Sequence, residues 1–282
     1  MNGKIIPRIL GLVPVSVRRA MIGAEDNPSW IANFVHRWLN RIPVSRQEIL
    51  DCKGDLAGFR MVTEWQRYRG LVYGNWEPKV SSVVRASAKE GMTVLDVGGH
   101  FGYYTLLLAK CVGESGRVFS FEPSPENFEL LARNIRLNHL TQAEALPMAI
   151  FSRKGTSAIT IPDGNSNSGG ASVVDHVGEC EIQVETTTLD AFCAERNIRP
   201  AFIKMDVEGA EYDVLLGGEA TIRTCHPEML IEVHHFDGNA QRNPVPGLLE
   251  KWGYQITWIE RLDLTSHIFA KNRNGMNSER PQ

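Results

Sequence analysis

Val94-Leu-Asp-Val-Gly-Gly-His-Phe-Gly-Tyr-Tyr-Thr105 is the stretch on which the fold turns. It opens as a short apolar strand, passes through three glycines, and continues from Tyr103 as an apolar helical run. Such a turn lets backbone approach a ligand closely, and the N–H groups that open the helix suit an anionic group. Dinucleotide enzymes use a similar turn, but with the spacing Gly-x-Gly-x-x-Gly; here the spacing is Asp-x-Gly-x-x-x-Gly. Asp96, two positions before Gly98, would repel a diphosphate and attract an ammonium.

Outward from this turn, short apolar runs alternate with helical stretches, which predicts repeated βα units and a mainly parallel sheet. Strands are expected at Thr93–Val97, Val118–Phe121, Ala143–Ala149, Phe202–Met205, Glu228–Val233, Tyr254–Ile259 and His267–Ala270. Helices are expected at Tyr103–Val112, Glu126–Asn138, Ala210–Gly217 and Val245–Trp252. The last two strands lack a helix-length connection and should pair antiparallel. The result is an α/β, Rossmann-like sheet, mainly parallel with an antiparallel C-terminal strand, a layout that resembles the class I methyltransferase sheet. The ligand it points to is a nucleoside that carries an ammonium and no pyrophosphate.

The second signal is Phe119-Ser-Phe-Glu-Pro-Ser124. Glu122 closes the second strand, where a carboxylate can accept both ribose hydroxyls. Pro123 and Ser124 then set up a helix with Asn127 in its first turn. The third is Ile203-Lys-Met-Asp-Val-Glu-Gly-Ala-Glu211, which brings Asp206 and Glu208 to the carboxyl edge of the sheet, where open α/β sheets bind ligands. Glu211 reads as a helix-opening acid favoured by the dipole. The fifth strand ends in Leu230-Ile-Glu-Val-His-His235, so Glu232, His234 and His235 approach the same rim.

Together, Leu95-Asp-Val-Gly-Gly-His-Phe-Gly-Tyr-Tyr-Thr, Phe121-Glu-Pro-Ser-Pro-Glu-Asn-Phe, Lys204-Met-Asp-Val-Glu-Gly-Ala-Glu and Ile231-Glu-Val-His resemble the FkbM family of methyltransferases across roughly residues 72 to 236. The resemblance implies S-adenosylmethionine as donor and O-methylation of a hydroxyl on a small metabolite, sugar or lipid-like acceptor. It also implies a cofactor site built from Glu77, Asp96, Gly98, Gly99, His100, Gly102, Tyr103, Glu122, Pro123, Asn127 and Asp206. Tyr73-Gly-Asn-Trp-Glu-Pro78 looks like the family's lead into the first strand, with Glu77 at the cofactor's amino-acid end; an exposed loop carboxylate is the competing reading. The family turn commonly reads Gly-Ala-Asn-x-Gly. His100 stands in the place of its Asn, which leaves that side chain's contacts open.

Methyl transfer to a hydroxyl is an in-line displacement at the sulfonium methyl, and it needs alignment and a proton acceptor. His234 and His235 are the candidate bases by pKa, and Asp206 is the carboxylate alternative. A divalent metal is the other route. Mg²⁺ would take hard oxygens such as Asp206 and Glu232, but it is disfavoured because no third carboxylate is evident.

The chain has 282 residues, 43% hydrophobic and 22% charged, with a formal net charge of −3. That is an ordinary globular composition without a basic footprint, so nucleic acid is disfavoured as a partner. Five widely spaced cysteines form no Cys-x-x-Cys pair, which argues against zinc and against a disulfide framework. No run approaches a transmembrane length, and Pro7 and Pro14 interrupt the basic, apolar segment 4–22 that a secretory signal would need intact. Peripheral membrane contact through that segment is the lesser alternative to its docking on the body of the protein.

Residues 1–80 read as a helical and hairpin extension, 81–272 as the methyltransferase unit and 273–282 as a frayed tail. Within the extension, Trp30–Leu39 has helical spacing and Glu48–Cys52 with Gly58–Val62 form a hairpin. Trp30, Trp38, Trp65 and Trp76 read first as core packing, with an apolar or sugar-stacking wall for an acceptor as the alternative. The tract 163–170, rich in Gly, Asn and Ser, is a loop that fits a lid or a plain connection. The expected setting is cytoplasmic, with a homo-oligomer left open. The competing functions are a non-catalytic binding or scaffold module and an NAD-type oxidoreductase.

Overall fold

The computed structural model describes residues 48–63, 76–161, 180–235, 242–262 and 264–273. The expected helix at 30–39, the segment 4–22, Trp30, Trp38, Trp65, residues 73–75, the tract 163–170 and the tail after 273 lie outside the described residues.

A seven-stranded sheet forms the centre. Its strands are β3 (Thr93–Val97), β4 (Arg117–Phe121), β5 (Ala143–Leu146), β9 (Phe202–Met205), β10 (Glu228–His234), β11 (Tyr254–Arg261) and β12 (Thr265–Asn272). Their order across the sheet is β11-β12-β10-β9-β3-β4-β5. The pairs β5–β4, β4–β3, β3–β9 and β9–β10 are parallel, while β12 runs antiparallel to both β10 and β11. The last two strands pair as their short connection requires.

Helices cover both faces, which is why the inner strands are apolar throughout. On one face lie α1 (Pro78–Ser87), α2 (Tyr103–Val112) and α3 (Pro125–Leu137), with Leu106, Leu107, Leu108 and Leu131 in the core against Val94, Val118, Phe202 and Leu230. On the other lie α4 (Leu189–Arg196), α5 (Glu211–Leu216), α6 (Glu219–Cys225) and α7 (Pro244–Lys251), around Leu95, Phe121, Ile203, Met229 and Ile231. Alternate residues of one strand thus feed two separate cores. Helices α1, α4 and α6 were not among those expected. The Thr188 hydroxyl accepts the Ala191 N–H at 3.0 Å, an N-cap signal that could have located α4. Helix α1 spans residue 80, so the extension and the sheet meet within a helix.

The expected strand Ala143–Ala149 divides at Pro147. Proline has no N–H to give a ladder, so β5 stops at Leu146 and β6 (Ala149–Ile150) departs into another sheet. There β6 pairs parallel with β8 (Cys180–Thr187), which pairs antiparallel with β7 (Gly155–Ile161).

The hairpin of β1 (Glu48–Asp51) and β2 (Arg60–Thr63) forms as expected, closed by a 3₁₀ turn at Gly54–Leu56. Asn134 of α3 and Asn138 at its C-cap satisfy its edge. The Val62 N–H donates to Asn134 Oδ1 at 2.6 Å and the Arg60 N–H to Asn138 Oδ1 at 2.7 Å. Asn134 Nδ2 also donates to the Phe101 carbonyl at 2.8 Å, so one buried amide ties the hairpin to the glycine turn.

Candidate active site

A cavity of about 350 Å³ opens at the carboxyl edge of the sheet. One wall is the β3–α2 turn, Gly98, Gly99, His100 and Phe101, with Tyr103 and Tyr104 behind it. Glu122, Pro123 and Asn127 form the next wall, and Met148, Ala149 and Ile150 the one beyond. Opposite stand Asp206, Val207, Glu208 and Ala210; Trp76, Glu77, Lys204 and Glu232 complete the lining.

The turn allows no side chains where its glycines stand. A Cβ on Gly98, which has φ +87°, would lie 1.7 Å from the Asp206 carbonyl oxygen, and one on Gly99 would lie 2.1 Å from Ser120 Oγ. Gly98 therefore lets the loop after β9 press directly on the turn after β3. His100 is left-handed too, at φ 48°. Asn and His are among the few non-glycine residues that tolerate this conformation, so His100 can replace an Asn without reshaping the backbone. Its N–H donates to Glu122 Oε2 at 2.7 Å.

Glu122 is buried and joins two loops, since its Oε1 accepts the Ser124 N–H at 2.9 Å. Burial pushes its carboxyl up to about 7, against the pull of the Ser124 and His100 N–H groups. With the Asn127 side chain as a third donor, the carboxylate keeps an acceptor position for a ligand hydroxyl. Beside it, Asn127 Oδ1 is a buried acceptor with no hydrogen-bond partner in the protein, as an atom awaiting a ligand donor would be. The crowding at Gly98 and the open acceptor on Asn127 fit a nucleoside cofactor with an amino-acid tail.

Two expected cofactor residues stand behind the wall rather than in it. Asp96 is fully buried, with Oδ2 accepting the Thr105 hydroxyl at 2.6 Å, and burial raises its carboxyl above the usual range. Gly102, at φ 101°, caps α2 and packs against Leu131. Glu77 does line the cavity. It is left-handed at φ 40°, at the N-cap of α1, and its Oε2 accepts the Tyr104 hydroxyl at 2.5 Å. Burial raises its carboxyl.

Neither expected histidine base lines the cavity. His235 is buried, with Nε2 at 2.9 Å from Ser266 Oγ, because at the end of β10 its side chain points opposite to that of His234. His234 lies between two carboxylates, with Nδ1 2.8 Å from Glu211 Oε1 and Nε2 3.1 Å from Glu208 Oε2. Burial would lower its pKa, but Glu208 and Glu211 outweigh burial and raise it to about 11, so the ring is an imidazolium at neutral pH. An imidazolium cannot accept a proton, and His234 is corrected from base to cation.

Residues that local reasoning passed over complete the site. Lys204 is buried and paired with Asp206 Oδ2 at 3.3 Å, with its Nζ 4.9 Å above the Tyr104 ring. Burial would discharge it, but Asp206, Asp96, Glu232 and Glu77 hold it charged. His267 Nε2 stands 3.3 Å from Glu232 Oε2, its register partner across β10 and β12.

Mg²⁺ on Asp206 and Glu232 finds no support. Among the described residues, the side chains whose ligand atoms gather within 4.8 Å are Asp206, Glu208 and His234. A ring nitrogen among them is ill suited to Mg²⁺, which prefers oxygen. Lys204 and the His234 cation already supply the positive charge there.

A family model described as the methyltransferase FkbM domain matches residues 96–256. The chain belongs to the FkbM methyltransferase family. It is an S-adenosylmethionine-dependent methyltransferase of class I α/β architecture, which removes the NAD-type oxidoreductase reading. Methyltransferase 1 of Beauveria bassiana (strain ARSEF 2860) is 26% identical over 189 residues, which is 60% of this chain and 74% of that protein. The hexuronic acid methyltransferase AglP of Haloferax volcanii is 24% identical over 189 residues, 66% of this chain and 74% of that protein. The crystal structure of a methyltransferase FkbM from Methylobacillus flagellatus KT superposes with a TM-score of 0.47 at 17% identity, over 64% of this chain and 43% of that one. No helix among the described residues is long and apolar enough to cross a membrane.

Proposed function

We propose that this methyltransferase transfers the methyl group to a hydroxyl of a small metabolite, sugar or lipid-like acceptor. One observation carries the reading: Glu77, Asp206, Glu208 and Glu232, four carboxylates, line the same cavity as the glycine turn. A hydroxyl must lose a proton as it attacks the sulfonium methyl, and a carboxylate at the rim can take it. Carboxylates so arranged also repel phosphates, which supports a small acceptor over nucleic acid.

In this reading the Gly98–Gly102 turn and Glu77 receive the amino-acid end of S-adenosylmethionine, while Glu122 and Asn127 receive its nucleoside. When bound, the cofactor supplies an electrophilic methyl group. The chain aligns an acceptor with it and excludes water. Trp76 gives the acceptor side an apolar surface. Residues 81–272 serve as the catalytic unit and 1–80 as its extension. A cytoplasmic setting agrees with Cys52, Cys111, Cys193 and Cys225, which are free thiols.

Calorimetric titration with S-adenosylhomocysteine and with NAD, followed by transfer of labelled methyl from S-adenosylmethionine to a panel of sugars, polyols and hydroxylated lipids, tests the reading. Binding of the first nucleotide alone and an O-methyl ether product are expected. Exclusively N- or C-methylated product overturns O-methylation. Binding without turnover of any acceptor would favour the scaffold module.

A further inference from the structure

We propose that Glu208 is the base that takes the acceptor's proton, and that His234, held in turn by Glu211, is the positioning residue that aims it. The inference rests on the O-methylation reading. Glu208 lines the cavity two residues beyond Asp206, whose carbonyl abuts Gly98. It is left-handed at φ 51° and is followed by Gly209 at φ 102°, so the loop holds an unfavourable conformation to turn this side chain inward.

Three contacts hold that conformation. His234 Nε2 donates to Glu208 Oε2 at 3.1 Å, and His234 Nδ1 donates to Glu211 Oε1 at 2.8 Å. The same Glu211 oxygen accepts the Gly209 N–H at 2.8 Å, closing the chain of bonds onto the loop that carries Glu208. His234 and Glu211 are largely enclosed, with side chains 12% and 2% exposed, whereas that of Glu208 is 30% exposed and reaches the cavity. Two carboxylates flanking one ring make it a cation, so it orients the base and cannot replace it.

The other acids suit the task less. Burial pushes Asp206 up, but Lys204 and His234 outweigh it and hold its carboxyl below the usual range. Glu77 is engaged by the Tyr104 hydroxyl and Glu232 by His267. Around Glu208, burial together with Asp206 and Glu232 outweighs the His234 bond, so its carboxyl is raised and the carboxylate is the more basic. In the step, the acceptor oxygen forms its bond to the methyl carbon. The S–CH₃ pair stays on sulfur, and the hydroxyl proton passes to Glu208, which becomes a carboxylic acid.

The test uses the full chain and whichever panel alcohol is turned over. E208Q is expected to lower kcat by about 10²–10⁴ while S-adenosylhomocysteine affinity stays within about threefold. In H234Q the imidazolium is gone, so the acid limb of kcat/KM should move to higher pH by roughly one unit or more. Nitrogen NMR of the His234 ring at pH 8, with S-adenosylhomocysteine bound, should show both nitrogens protonated; this needs no acceptor. An E208Q variant with near wild-type kcat overturns the base assignment. A neutral ring overturns the clamp, as does activity lost on chelation and restored by a divalent ion. Exclusively N- or C-methylated product from the wild type overturns the parent reading, whereas an indifferent E208Q with O-methyl product overturns this base alone.

Discussion

Asp96 and Lys204 are register partners on the adjacent parallel strands β3 and β9, both buried, Lys204 in the cavity lining and Asp96 behind it. Ser120 is the partner of Asp96 on β4, and the Thr105 hydroxyl reaches the same Asp96 oxygen from α2. A polar row therefore crosses one face of the sheet directly under the glycine turn, in an otherwise apolar core. Charges so placed are sustained only by one another.

Removing the cation should expose that dependence. Lys204→Met leaves the buried Asp96 and the partly exposed Asp206 without their cationic partner, and a loss of about 3 kcal/mol is expected in denaturant unfolding at pH 7.5. The unpaired carboxyls then have raised folded-state pKa values, so the deficit against wild type should shrink as the pH falls and they protonate. A deficit independent of pH would mean that packing, not charge, is what Lys204 supplies.

Glu122 should make cofactor binding pH-dependent. Its carboxyl sits at about 7 because it is buried, and ribose hydroxyls donate more strongly to the ionised form, in which both oxygens are acceptors. S-adenosylhomocysteine affinity is expected to be constant above pH 8 and to fall by up to tenfold per unit below pH 7, as the group protonates in the free protein. Glu122→Gln should weaken binding at pH 8 by roughly tenfold or more and flatten the profile. A flat wild-type profile in calorimetry would remove the ribose assignment.

Two glycines should respond in opposite directions. Gly98→Ala places a methyl group against the Asp206 carbonyl at a left-handed φ, and a destabilisation of about 3 kcal/mol is expected, with loss of S-adenosylhomocysteine binding. Gly247, inside α7, has nothing within 4 Å of an added Cβ. Gly247→Ala should stabilise by about 0.5–1 kcal/mol with binding unchanged. Chemical denaturation of both variants reads the contrast.

Glu77→Ala separates a cofactor contact from a loop carboxylate. The substitution removes a half-buried carboxylate from the cavity and strands the Tyr104 hydroxyl. Affinity for S-adenosylhomocysteine should fall about tenfold, as expected for one lost charged hydrogen bond. An unchanged Kd would make the Glu77 carboxylate a partner of Tyr104 and no more.

Much of the site was legible because its chemistry is local. The bounds of β3, α2 and β9 follow from apolar spacing and glycine, and Glu122 and Asp206 are strand-end acids wherever the sheet places them. His100 was puzzling as a side chain and is simple as a backbone angle, which no residue pattern displays. His234 and His235 looked equivalent by pKa. They are neighbours at the end of β10, and their side chains point oppositely, one toward two carboxylates and the other toward a serine.

The sequence by itself determined the α/β class, the glycine turn, the strand-end acid Glu122 and the family, because each is encoded within a few consecutive residues. Tertiary structure decided which charges meet: Lys204 with Asp96, Glu232 with His267, and His234 with Glu208 and Glu211. Those pairings depend on strand register and on how a loop packs across a strand edge, distances that no local spacing specifies. The same packing turned Asp96 from a rim residue into a buried one and moved the candidate base from a histidine to the carboxylate beside it.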